Sequence, residues 1–232
     1  MRAASKLFAL PAALLALSAA ASSQTVYTNA FTTMPGTEWS DRTISTSNGE
    51  SFLASSANGF GNGTDTLTLS ALPAHNAVTV SFDLYIINSW DGNGPAGGNS
   101  LANPDSFGLT QNGSSLLLTS FANFTGGNTQ SYSAATPNGL GFSNAPRSGQ
   151  FAANHLGFGD ADYGDATYRF SYTFASSSSA LALAFTSNQN QGVGDEGWGL
   201  DNVTVSVNPV PEPATFAALG LGALGMSRRR RR

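Results

Sequence analysis

The chain has 232 residues, with 26 Gly, 10 Pro and no Cys, and only 10% of them are charged. That length suits one domain, and the lack of Cys excludes a disulfide framework, a thiolate metal site and a Cys nucleophile. Two His (His75 and His155) are too few for a His-based zinc site, and segment 22–208, with three basic and thirteen acidic residues and so a net charge of −10, has the wrong sign for nucleic acid.

Residues 1–23 read as a signal peptide. Arg2 and Lys6 form the positive start, 7–17 is apolar apart from Pro11, and Ala19, Ala20 and Ala21 are the small residues a signal peptidase accepts, placing cleavage within 21–24. Residues 24–208 then lack a sustained helical period and show alternation of period two instead. Weak runs predict strands over 49–54 and 65–69. In 77–87, Val78, Val80, Phe82, Leu84 and Ile86 share a face, with Asp83 on the other. Further strands are expected at 106–111 and 115–121, joined by a hairpin at Asn112-Gly113. In 167–174, Tyr168, Phe170, Tyr172 and Phe174 align, and in 180–186 so do Leu181, Leu183 and Phe185. Stretch 170–185 reads as a second hairpin, turned at 176–179. In 200–207, Val203, Val205 and Val207 share a face with Asp201. The expected class is all-β: a jelly-roll-type antiparallel β-sandwich, with an N-terminal signal peptide and a short C-terminal membrane helix.

The acids of the body cluster. Asp160, Asp162 and Asp165 lie in a Gly-rich loop before a strand. Such a loop offers the oxygens a Ca²⁺ ion needs, or forms a solvated turn with capping roles. Asp83, Asp91, Asp195, Glu196 and Asp201 make a second set. Asp83 and Asp201 fall inside strands, where a carboxylate needs a partner; Arg169 or a bound Ca²⁺ would supply one. Ca²⁺ is the one cofactor these acids suggest. Trp90, with Asp91 beside it, heads the Gly/Pro/Asn-rich loop 88–105 and is the expected carbohydrate-stacking rim, whereas Trp198 reads as a packing residue. Catalysis is not expected. Asp195 and Glu196 are adjacent, so on a strand they face opposite ways, and a retaining glycosidase pair must face one cleft. His75, in a Pro73-Ala74-His75-Asn76 turn, and His155 read as surface loop residues without a nucleophile nearby.

The tail, 209–232, has three parts. Pro211, Glu212 and Pro213 precede the apolar stretch 214–226, and Arg228, Arg229, Arg230, Arg231 and Arg232 follow it. The Arg run holds its end in the cytoplasm. The apolar stretch would span about 20 Å as a helix, against about 30 Å of hydrocarbon, so its Arg residues must snorkel or the bilayer thin. This order resembles the PEP-CTERM sorting signal of Gram-negative bacteria. The resemblance implies processing by an exosortase after signal peptidase, a transient stage in the inner membrane, and an association with exopolysaccharide and biofilm matrix. Within the body, segments 80–92 and 197–205 resemble strands of concanavalin A-like (laminin G-like) sandwiches, a group that includes lectins, glycosidases and structural domains. The reading is therefore an exported, non-catalytic protein of the cell surface or extracellular matrix, structural or adhesive and linked to exopolysaccharide. A lectin-like carbohydrate-binding module is the alternative, and a polysaccharide hydrolase a more remote one.

Overall fold

The computed structural model describes residues 22–94, 98–159 and 163–210. Nearly all of the expected signal peptide therefore lies outside the described residues, as do Asp160, Asp162 and everything past Val210. Ser23–Val210 forms one compact unit. Among the described residues there are eleven strands and no α-helix: β1 (Gln24–Asn29), β2 (Ile44–Ser47), β3 (Glu50–Leu53), β4 (Gly63–Leu69), β5 (His75–Asn88), β6 (Ser106–Gln111), β7 (Ser114–Ser120), β8 (Ala152–Ala153), β9 (Gly164–Ala175), β10 (Leu181–Asn188) and β11 (Glu196–Pro209).

The strands pair antiparallel in two sheets. The larger runs β2-β3-β11-β5-β9-β8, with β1 also on β11, and the smaller runs β4-β10-β6-β7. The long strands β5, β9 and β11 have the alternation that buries one face. Val78, Val80, Phe82 and Leu84 point inward with Tyr168, Phe170, Val203 and Val205, and meet Leu67, Phe107, Leu109, Leu183 and Phe185 of the smaller sheet in one core. Phe82 touches Phe185 and Phe107 touches Trp198 across the layers, with ring centroids 5.2 Å apart in each pair. Two sheets sharing one apolar interior make a β-sandwich.

Turn chemistry acts where the sequence places it. Asn48-Gly49 joins β2 to β3 and Asn112-Gly113 joins β6 to β7, all four residues with positive φ. This is the backbone of a tight two-residue hairpin that matches strand twist. The hairpin expected over 170–185 does not form. β9 pairs with β5, whereas β10 pairs with β4 and β6, so 176–180 crosses between layers. Both strands carry an apolar face because they cover the same core from opposite sides.

Three further expectations are corrected. His75 is not a surface residue: it opens β5, is buried, and its Nδ1 lies 2.6 Å from the Pro73 carbonyl oxygen. Asp201 does not share a face with Val203. A bulge sets Asn202 and Val203 opposite Phe82 alone, Asn202 takes φ 51°, and Asp201 pairs with Asp83 on the outer face. The last strand also runs past 208. Pro209 pairs with His75, and the Val210 N–H donates to the Ala74 carbonyl at 3.0 Å. Proline is tolerated there because a strand end needs no further ladder donor.

Candidate functional site

In the middle of the larger sheet, on the face away from the core, register sets Asp83 of β5 between Arg169 of β9 and Asp201 of β11. Like charges directly opposite are unfavourable, and the neighbours offset this. Arg169 Nε donates to Asp83 Oδ1 at 3.1 Å. The bulge aims the Asn202 amide between the carboxylates, where Nδ2 donates to Asp83 Oδ2 at 3.0 Å and Asp201 Oδ2 at 3.1 Å. The Asn202 N–H caps Asp201 Oδ1 at 2.7 Å, and the Tyr85 hydroxyl donates to Asp201 Oδ2 at 3.1 Å. All four carboxylate oxygens thus accept from protein donors. Arg169, expected as a partner for one of these two acids, pairs with Asp83.

These groups floor a cleft of about 230 Å³ whose lining also includes Glu50, Phe151, His155 and Thr167. Phe151 is 59% exposed, and the Arg169 guanidinium lies over its ring, 3.4 Å from the centroid, a cation–π contact. His155 reaches the cleft from the loop 154–159. Asp165, fully buried in β9, anchors it: Oδ1 accepts from the N–H groups of His155 and Leu156 at 3.0 and 3.1 Å, and Oδ2 from those of Leu156 and Phe158 at 3.1 and 3.4 Å. The His155 ring sits 3.3 Å from the same carboxylate. Leu156 and Phe158 pack with Phe52, Tyr85 and Ile87 in a second, small apolar cluster. Both oxygens of Asp165, expected as a calcium ligand, accept from backbone donors.

Burial pushes the Asp201 carboxyl up to about 6, with the charges of Asp83 and Glu50 adding to it against the hydrogen bonds from Asn202 and Tyr85. Burial likewise raises the Tyr85 hydroxyl, helped by Asp201. A folded-state carboxyl raised above its unfolded value favours the protonated form. The stability Asp201 contributes is therefore full below its unfolded pKa and lost as pH rises through about 6. Asp201→Asn should abolish that loss, so urea denaturation at about pH 5 and pH 7.5 should differ less in the variant than in the wild type, by on the order of 1 kcal/mol.

The other expected site residues go elsewhere. Trp90 is not a rim residue: it is fully buried, its Nε1–H donates to the Gly197 carbonyl at 2.7 Å, and its ring faces Phe121. A ring so enclosed presents no face to a sugar. Asp91 is buried beside Asp105 and Glu196. Phe151, Asn202, Glu50 and Asp105 were not singled out by the sequence. Only the cross-sheet register and the bulge reveal the first three as one site.

The segment beyond the body is settled by comparison with known families. Residues 209–232 match the PEP-CTERM protein-sorting motif. The matched segment spans Pro211, Glu212 and Pro213 and runs to Arg232. The sorting motif indicates an exosortase as processing partner, and export with a membrane-anchored stage. No curated protein matches the chain. Solved structures distantly similar to it include the following two. One is a carbohydrate-binding module from Cellvibrio mixtus lichenase 5A in complex with cellotriose, 11% identical, covering 81% of this chain and 100% of the module, with a TM-score of 0.31. The other is a cleaved adhesin domain of Lys-gingipain from Porphyromonas gingivalis, 12% identical, covering 80% of this chain and 99% of that domain, with a TM-score of 0.36.

Proposed function

We propose that this is an exported, non-catalytic adhesive protein of the cell surface or extracellular matrix, which holds exopolysaccharide in the cleft on the outer face of its larger sheet, as a lectin-like module would. The observation that carries this reading is the exposed Phe151 ring standing beside Arg169, Asp83, Asn202 and Asp201. A pyranose has an apolar face that lies on an aromatic ring and a rim of hydroxyls that both donate and accept. Carboxylates, an amide and a planar guanidinium fixed by one another suit that rim. The sorting motif supports delivery beyond the inner membrane, where such polymers lie. The locked carboxylates support binding over hydrolysis. A glycosidase needs one carboxyl free to deliver a proton and a second free to attack or to activate water, whereas Asn202 bridges Asp83 and Asp201 here.

The test is a glycan array that includes the exopolysaccharide of the producing cell. The wild type should bind at least one polymer without releasing sugar. Phe151→Ala and Arg169→Ala should each weaken that binding about tenfold or more, equivalent to about 1.4 kcal/mol. Wild-type protein that binds no glycan, or variants that bind as well as it does, would refute the cleft; sugar release would refute the non-catalytic assignment.

A further inference from the structure

A second group of acids meets at the strand ends. Asp91 follows β5, Asp105 immediately precedes β6, and Glu196 opens β11. Their exposures are 3%, 0% and 0%, and one carboxylate oxygen of each lies within 4.8 Å of the others. Three buried carboxylates in contact carry a large desolvation and repulsion cost unless a positive charge joins them. No basic side chain of the described residues does. Among the described residues the ion pairs are Arg169–Asp83 and His155–Asp165, both elsewhere.

The hydrogen bonds show which oxygens are free. Asp105 Oδ2 accepts from the Asp91 N–H at 2.7 Å and from Asn99 Nδ2 at 2.6 Å, Asp91 Oδ1 accepts from Asn128 Nδ2 at 2.8 Å, and Glu196 Oε2 accepts from the Gln191 N–H at 3.2 Å. Asp105 Oδ1 and Glu196 Oε1 are fully buried and have no donor. Orphan carboxylate oxygens of this kind are rare in folded proteins and mark a missing partner. The protein donors turn each side chain and leave the remaining oxygens for that partner.

We propose that Asp91, Asp105 and Glu196 hold one Ca²⁺ ion, which ties the ends of β5, β6 and β11 together. The donor set is all oxygen, the choice of a hard cation. Ligands at about 2.3–2.6 Å on opposite sides of Ca²⁺ stand about 4.6–5.2 Å apart, and the three oxygens lie within that span. Backbone carbonyls and water complete the six to eight ligands that Ca²⁺ takes. The competing arrangement is a proton shared between Glu196 and Asp105, whose carboxyl groups are buried against one another. This site is separate from the sheet-face cleft and does not depend on what the cleft binds.

Thermal unfolding of the full chain, purified in EGTA, separates the two arrangements. Addition of about 1 mM CaCl₂ at neutral pH should raise the midpoint by about 5 °C or more, and calorimetry should show one ion bound per chain. Glu196→Gln, which mimics the protonated acid, should still unfold cooperatively and lose the calcium response. Asp83→Asn, in the cleft, should keep it. A wild-type midpoint that is the same in EGTA and in calcium, with no binding heat, would overturn the proposal in favour of the shared proton. A calcium response retained by Glu196→Gln would overturn the assignment to these residues.

Discussion

Trp198→Ala is expected to destabilise the fold strongly, with a markedly lower urea midpoint. The ring is fully enclosed between the layers, 4.5 Å from Phe60 and 5.2 Å from Phe107, centroid to centroid. Its Nε1–H donates to the Gly61 carbonyl at 3.0 Å, and its own backbone pairs with Phe60. Truncation removes a large, fully buried apolar body, leaves a cavity and strips Gly61 of a donor. Such changes cost about 3–5 kcal/mol, a large part of the roughly 5–15 kcal/mol that keeps a domain folded. Urea denaturation followed by circular dichroism checks this. Phe151→Ala serves as its counterpart: an aromatic of similar chemistry, more than half exposed, should shift the midpoint little, within about 0.5 kcal/mol. If the two variants unfold alike, the placement of Trp198 in the core is wrong.

The second large effect is expected at Asp165. Asp165→Ala removes the acceptor for the N–H groups of His155, Leu156 and Phe158 at once and leaves them beside a β-strand with nothing to bond. Unsatisfied buried donors cost about 1–3 kcal/mol each. The loop will relieve part of this by opening, so a net loss on the order of 3 kcal/mol is expected. Opening also draws His155 from the cleft, so the proposed glycan binding should weaken although no residue lining the cleft has been substituted. Hydrogen exchange reads it directly: amides of 154–159 should exchange much faster in the variant, while those of β5 and β11 keep their protection. Equal protection of the loop in both proteins would show that the carboxylate does not hold it.

The strands that could be read from the sequence are those whose alternation reports burial. β5 and β9 carry large apolar residues at every second position because each lies across the core, and their bounds came out within a few residues. β1 and β2 were missed because Gln24–Asn29 and Ile44–Ser47 are short, polar and largely unburied. β1 pairs with β11, at the far end of the described chain, whereas β2 pairs with its neighbour β3. The Asp201 error has a single cause. A period-two count assumes one residue per position, and the extra residue at Asn202 turns the phase by a full face. Trp90 was misplaced for a different reason: a Trp at the head of a Gly- and Asn-rich loop reads as a loop tip, yet its side chain turns into the core, against Phe121 and the Gly197 carbonyl. Acidic residues of interest were visible as a class. Which of them meet was not, since Asp91, Asp105 and Glu196 come together only when three strands end at one place.

β11 lies in the interior of the larger sheet, with β5 along one side and β1 and β3 along the other, and the export tag begins where it ends. A polypeptide threaded head-first through a membrane pore delivers that strand last. The other strands must wait outside with a vacant slot between them, and the layers can close only when transit is nearly done. Tension on a still-anchored tail would then pull β11 lengthwise, loading its rungs together in shear instead of peeling them one by one.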